Sequence, residues 1–284
     1  EDQLIDATRG MSDWIEDFKA LRETLDIEKY HIVGHSLGGA FLFSLIAEEG
    51  DRILSATMVA PGSPFGFGGT KDEKGTPTYA DFAGSGGGIV NADFARLMGE
   101  NDRSSDNPQA SPRVVMNAFY WKPPFIPERE EEYLSSLLSQ KTGDTKYPGD
   151  SVPSDNYPFV APGKFGPINS TSPKYVGDSV EQFIHTEAKP PVLWIRGADD
   201  QIVSDNSMFD FGTLGKLGLI PNYPGEEEYP PQPMVSQTRY VLAQYQKEGG
   251  SFSEEVIKDC GHTPFVEKPQ KFEGLFHPFI KAHN

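Results

Sequence analysis

Apolar residues recur at steps of three and four between residues 13 and 25, where Trp14, Ile15, Phe18, Leu21 and Leu25 form the stripe of an amphipathic helix. Ser12 or Asp13 is placed to cap its start. Residues 30–34 are then a short apolar run ending in Gly34-His35-Ser36-Leu37-Gly38-Gly39, after which residues 40–49 read as a buried helix closed by Gly50. Two further buried strands are predicted at 53–60 (ILSATMVA), stopped by Pro61-Gly62, and at 191–196 (PVLWIR), stopped by Gly197. A fourth covers 255–258, just before Asp259-Cys260-Gly261-His262. Strands alternating with helical stretches predict an α/β fold, a mostly parallel sheet flanked by helices. In open parallel sheets ligands bind beyond the carboxyl ends of the strands, and each strand here is followed by residues able to do chemistry.

Between residues 63 and 188 the texture changes to Gly, Pro, Ser and Asn with isolated helical pieces at 92–98 and 128–138. This reads as an inserted cap (lid), leaving residues 1–62 and 189–284 as the catalytic domain. Residues 147–173 carry no periodic pattern, and loops of that length in a compact protein are usually lids or binding elements. A second Gly- and Pro-rich insertion lies at about 209–233. Gly84-Ser85-Gly86-Gly87-Gly88 is followed by no lysine, so it is expected to be a flexible hinge in the lid and not a phosphate loop.

The chain has 284 residues, enough for one large α/β domain with an insertion. Its 42 Asp and Glu outnumber 25 Lys and Arg for a net charge of -17, which repels nucleic acid and anionic lipid but says little about the substrate, expected to be a small molecule. With Cys260 as the lone cysteine, no intramolecular disulfide and no cysteine-based metal site can form, and the residue is expected to be a small buried one. There is no run of 18 apolar residues, and residues 1–9 lack a secretory layout, so no membrane insertion is expected of the chain as given; the reading is cytoplasmic, with any targeting signal expected in a missing N-terminal segment.

Gly34-His35-Ser36-Leu37-Gly38 matches the G-x-S-x-G nucleophile elbow in the context that gives it meaning, between a strand and a helix. A serine on such a turn has a strained backbone, and its flanking glycines are expected to avoid collision with the neighbouring strand and helix. The strain presents the Ser36 hydroxyl as a nucleophile. The Leu37 N–H, at the start of the helix, is placed as an oxyanion-hole donor. His35 is expected to pack beside the site, because adjacent residues at the elbow point in different directions.

With this elbow, the chain resembles the α/β-hydrolase superfamily, and the resemblance runs from the helix at 13–25 to the C-terminus. The family order is nucleophile, acid, base. Gly261-His262-Thr263-Pro264-Phe265-Val266-Glu267-Lys268-Pro269 is similar to the GHxPxxExP stretch that follows the last strand in many members, which implies that His262 is the general base. Gly197-Ala198-Asp199-Asp200-Gln201-Ile202-Val203 resembles the family's GxxDxxV and implies Asp200 as the acid, with Asp199 the alternative. Some members carry the acid after the preceding strand, but Pro61-Gly62-Ser63 offers no carboxylate there. Such a Ser-His-Asp system requires no metal and no organic cofactor.

Family members begin with several strands ahead of the helix that leads to the elbow, and a loop among them supplies the second oxyanion donor. The resemblance therefore implies that these N-terminal strands are missing from this chain. The strand at 30–34 would then be an exposed edge, open to a missing N-terminal segment or to a second copy in a homo-oligomer.

The expected function is hydrolysis of a carboxylic ester or related acyl bond of a small to medium apolar substrate through an acyl-enzyme on Ser36. Phe65, Phe67, Phe119, Tyr120, Trp121 and Phe125 are candidates for an apolar acyl pocket. Proline iminopeptidase-like or C–C bond hydrolysis on the same triad, and a non-catalytic ligand-binding homologue, are the alternatives.

Overall fold

A computed structural model describes residues 4–284 of the chain. Four strands, β1 (Tyr30–His35), β2 (Ile53–Val59), β3 (Val192–Gly197) and β4 (Phe252–Ile257), form an all-parallel sheet in the order β1-β2-β3-β4. Among the described residues, no strand pairs with the outer edge of β1. β4 begins three residues earlier than its apolar residues imply. It is an edge strand with the sequence FSEEVI, and Glu254 in it binds Arg196 and Arg239, so the buried apolar run used to find it is broken by polar positions.

Helix α1 (Ser12–Thr24) precedes β1, and α2 (Leu37–Glu49) follows it directly. Neither Ser12 nor Asp13 caps α1. Met11 occupies the N-cap without a side-chain bond, while the Asp13 carboxylate accepts the Asp6 N–H at 2.9 Å. α2 starts at residue 37 rather than 40, because the turn at Ser36 passes straight into the helix, with the Ala40 N–H donating to the Ser36 carbonyl at 3.0 Å. Gly50 ends α2 with a right-handed φ of -53°, so it is not a left-handed cap. Glycine is needed there because a Cβ would lie 2.5 Å from the Ala188 carbonyl oxygen.

The insertion begins with α3 (Ala92–Gly99), α4 (Pro112–Phe119) and α5 (Glu130–Leu138). They share a core of their own, built from Phe94, Met98, Val115, Met116, Trp121 and Leu134. Two short ladders, Thr142–Gly143 with Tyr147–Pro148 and Ser151–Pro153 with Val160–Pro162, order the segment that lacked a pattern. Residues 84–88 are not a flexible hinge. Ser85 is fully buried and bridges to Gly68, the Gly84 N–H donates to Val160, and the Gly87 N–H donates to the Asn169 side chain at 2.8 Å. Those glycines admit close packing: a Cβ on Gly84 would overlap the Tyr229 ring.

Helix α6 (Ser179–His185) falls inside the 63–188 range, yet its Val180, Phe183 and Ile184 belong to the core of the sheet together with Leu42, Phe43 and Ile46 of α2. α7 (Phe211–Lys216) lies in the second insertion, and α8 (Met234–Lys247) adds Val235, Val241, Leu242 and Tyr245 to the same core. The C-terminal helix α9 (Pro269–Ala282) covers the opposite face, where Phe272, Leu275 and Phe279 pack on Leu193, Ile195 and Ile257. Alternation along β3 explains the split: Val192 and Trp194 face one layer, Leu193 and Ile195 the other. Among the described residues, no helix is long and apolar enough to cross a membrane.

Candidate active site

The parallel register brings the carboxyl ends of β1, β3 and β4 to one end of the sheet, and the three sequence-predicted residues all lie there. Ser36 follows β1 with φ 54° and ψ -118°, a conformation that costs a non-glycine residue about 1–3 kcal/mol. Its N–H donates to Val59 at 2.9 Å, and its carbonyl accepts from Ala40 and Gly62, each at 3.0 Å, so the turn is held by the next strand as well as by α2. The flanking glycines are not equivalent. A Cβ on Gly34 would overlap the Gly38 carbonyl, whereas one on Gly38 would meet nothing within 4 Å. The second position that must stay bare is Gly39, whose Cβ would lie 2.7 Å from that of Pro61.

Asp200 follows β3. One of its oxygens accepts the N–H groups of Ile202 at 2.8 Å and Val203 at 3.0 Å, and the other bonds Nδ1 of His262 at 2.8 Å. Between the two adjacent carboxylates the geometry is decisive. The Asp200 side chain is 3% exposed and bound to His262, while that of Asp199 is 39% exposed and faces Lys122. Asp200 thus both caps its own turn and holds the imidazole in a buried pair.

His262 sits in a loop fixed from three sides. Toward the acid, the Asp199 N–H donates to the Cys260 carbonyl at 2.9 Å, and a Cβ on Gly197 would strike the Gly261 carbonyl. Toward the elbow, Nε2 of His35 bonds the His262 carbonyl at 2.9 Å and the two rings lie 4.7 Å apart. Burial, and then the nearby His262, push the His35 pKa down to about 4, so His35 is neutral near pH 7 and donates that bond. Toward the insertion, Thr263 Oγ1 donates to the Tyr120 carbonyl at 2.7 Å, and the Glu267 carboxylate accepts the N–H groups of Gly261 at 2.7 Å and Lys122 at 3.0 Å.

Ser36, Leu37, His35 and His262 all line one cavity of about 650 Å³. The Ser36 hydroxyl is not hydrogen-bonded to the His262 ring in this geometry, an arrangement common before substrate arrives. α2 begins at Leu37, so the Leu37 N–H is one of the unpaired donors of a helix N-terminus. Of the predicted aromatic lining, Phe67, Phe119 and Tyr120 face the cavity, while Phe65 packs on the core of the sheet and Trp121 and Phe125 belong to the core of the insertion. Ile202, Val203, Met208 and Phe209 form a wall that hydropathy alone left unassigned, since they sit in loop after Asp200. Among the described residues, no Asp, Glu, Lys or Arg lines the cavity, despite the strongly acidic chain around it.

Cys260 is fully buried, and burial pushes its thiol up to about 12, far from the thiolate a nucleophile needs. Among the described residues, no group of three or more His, Cys, Asp and Glu side chains is arranged to hold a metal ion.

The profile of the alpha/beta hydrolase fold family matches residues 7–223. No curated protein matches the sequence at a significant level. Solved structures do. A serine hydrolase from the polyaromatic hydrocarbon-degrading bacterium Cycloclasticus zankles superposes with a TM-score of 0.51 at 14% identity, over 99% of this chain and 75% of that one. A candidate aryl esterase from Burkholderia cenocepacia gives 0.51 at 16% identity, over 99% and 75%. A meta-cleavage product hydrolase from Pseudomonas fluorescens gives 0.48 at 14% identity, over 100% and 75%.

Proposed function

The chain belongs to the alpha/beta hydrolase fold family, and on that premise we propose that it is a serine hydrolase that cleaves a neutral carboxylic ester through an acyl-enzyme on Ser36. The observation that carries this reading is the buried 2.8 Å bond between Asp200 and Nδ1 of His262, which leaves Nε2 of the same ring as the basic nitrogen beside the Ser36 cavity. His262 removes the Ser36 proton as the hydroxyl oxygen attacks the ester carbonyl, and Asp200 stabilises the imidazolium that forms. The Leu37 N–H stabilises the oxyanion. Collapse of the tetrahedral adduct breaks the C–O bond, and the proton on His262 leaves with the alcohol. Water, deprotonated by the same imidazole, then releases the acid and regenerates Ser36.

Substrate class follows from the cavity wall. Without a charged lining residue, a carboxylate or ammonium on the substrate would be desolvated and unpaired, which costs several kcal/mol. Ile89, Val90, Phe94, Val115, Phe119 and Phe209 instead favour an apolar chain, at about 0.8 kcal/mol per buried methylene. The residues of the insertion among these act as a cap over the site.

The test is kcat/KM for p-nitrophenyl esters of increasing straight-chain acyl length, each paired with its ω-carboxylate analogue. We expect a rise with length and at least ~100-fold preference for each neutral ester. Equal rates for neutral and anionic partners would contradict the assignment of the substrate class.

A further inference from the structure

The loop that carries His262 is tied to residues 120–122 as well as to the end of the sheet. A single oxygen of Glu267, Oε2, accepts both the Gly261 N–H at 2.7 Å and the Lys122 N–H at 3.0 Å. Gly261 is the residue immediately before His262, and Lys122 closes the segment whose Phe119 and Tyr120 line the cavity. The Thr263 hydroxyl donates to the Tyr120 carbonyl at 2.7 Å from the other side of the histidine. The backbones are in contact as well: a Cβ on Gly261 would stand 2.7 Å from the Lys122 nitrogen. Outside this, the Lys122 ammonium reaches Asp199 at 3.1 Å and Asp259 at 3.0 Å, one carboxylate from each of the acid and base loops. Those exposed pairs contribute little on their own. Glu267 is 7% exposed, and its buried carboxylate is held by these two N–H bonds.

We propose that Glu267 is a positioning residue, whose one bridging oxygen holds the His262 loop and the cavity wall at Phe119–Lys122 as a single unit. This rests on the reading of Ser36 and His262 as nucleophile and base. Placement of the imidazole then depends on the reach of the residue 267 side chain, not on its charge. It follows that the part of the insertion bearing Phe119 and Tyr120 does not lift away from the site without displacing the base.

Two conservative variants separate reach from charge. Glu267→Gln keeps an acceptor oxygen at the same distance and removes the charge. Glu267→Asp keeps the charge and withdraws the oxygen by one methylene. The measurements, on the full chain, are kcat and KM for a neutral p-nitrophenyl ester, the rate of Ser36 labelling by a fluorophosphonate, the pH profile of kcat/KM and the melting temperature. In folded protein we expect Glu267→Asp to lower kcat and the labelling rate by ~10- to 100-fold, the effect of misplacing a catalytic group by about an ångström, with KM little changed. We expect Glu267→Gln to stay within about threefold of the parent, with the same pH profile. A slow Glu267→Gln, with or without a slow Glu267→Asp, would overturn the proposal in favour of an electrostatic role. Two variants that both match the parent would overturn it in favour of no role in placing the base. If the unsubstituted chain labels at another residue or not at all, the reading of Ser36 fails first, and the variants are not at issue.

Discussion

At the elbow, the three glycines around Ser36 have different duties, although the motif presents its two, Gly34 and Gly38, alike. Gly34 faces the backbone of the first turn of α2, and Gly39 faces Pro61 at the end of β2. Gly34→Ala and Gly39→Ala should each cost at least ~1–3 kcal/mol of stability, because backbone and a proline ring cannot yield as a flexible side chain can. Gly38→Ala should leave the melting temperature near that of the parent. Thermal denaturation of the three variants checks this, and a Gly38→Ala as damaging as Gly34→Ala would contradict the geometry. The motif made the strained turn at Ser36 legible because such a turn tolerates few residue types. It mislocated one glycine because pattern matching cannot see which neighbour each missing side chain would strike. The resemblance favoured Asp200 and kept Asp199 as the alternative, because both fit the turn and only the side-chain direction shows that Asp200 meets His262.

The elements whose formation depends on local pattern were the readable ones. α1, β1, α2 and β2 each carry an apolar period or run bounded by Gly, Pro or polar residues, and their ends agree to within a few residues. α4 was missed because its eight residues, beginning with Pro112, are too short a run to show a period, and it gains its place from packing on Trp121 and Leu134. α7 is a different case, since its N-cap Asp210 is almost wholly buried. Its carboxylate accepts the N–H groups of Thr213 at 3.0 Å and Gln232 at 3.3 Å, while its other oxygen has no partner among the described residues. Burial outweighs those bonds and pushes its pKa from 3.8 up to about 6.

A carboxylate with a raised folded pKa adds stability that is complete below 3.8 and is lost as pH rises through about 6. His35 has the opposite sign. Its pKa falls from 6.5 to about 4, so its contribution is complete above 6.5 and is lost as pH falls through about 4. The two contributions oppose each other across the same window. Asp210→Asn, which keeps the cap and removes the titration, should therefore be more stable than the parent at pH 7 by on the order of 2–3 kcal/mol and close to it below pH 4. Urea unfolding at the two pH values measures the difference. A gap between variant and parent that does not change with pH would rule out a buried, titrating Asp210.

On the scale of the whole molecule, the net charge of -17 and the uncharged cavity are two separate facts about the same chain. Charge governs what approaches the surface, and the lining governs what can be held beside Ser36. Composition showed the first. The second came only from the fold, because the wall is assembled from the insertion, from the loop after β3 and from the first turn of α2, which are far apart in sequence. The segment between β2 and β3 stands out in sequence as a change of texture, but its union with the His262 loop through Tyr120, Lys122 and Glu267 has no local signature. The proposed chemistry requires an activated Ser36. Reaction of the purified chain with a fluorophosphonate, followed by peptide mapping and with Ser36→Ala and His262→Ala as controls, tests that most directly. The predicted result is a single label on Ser36, absent in the serine variant and slowed by at least ~100-fold in the histidine variant. A folded chain left unlabelled, or labelled equally fast without His262, would contradict it.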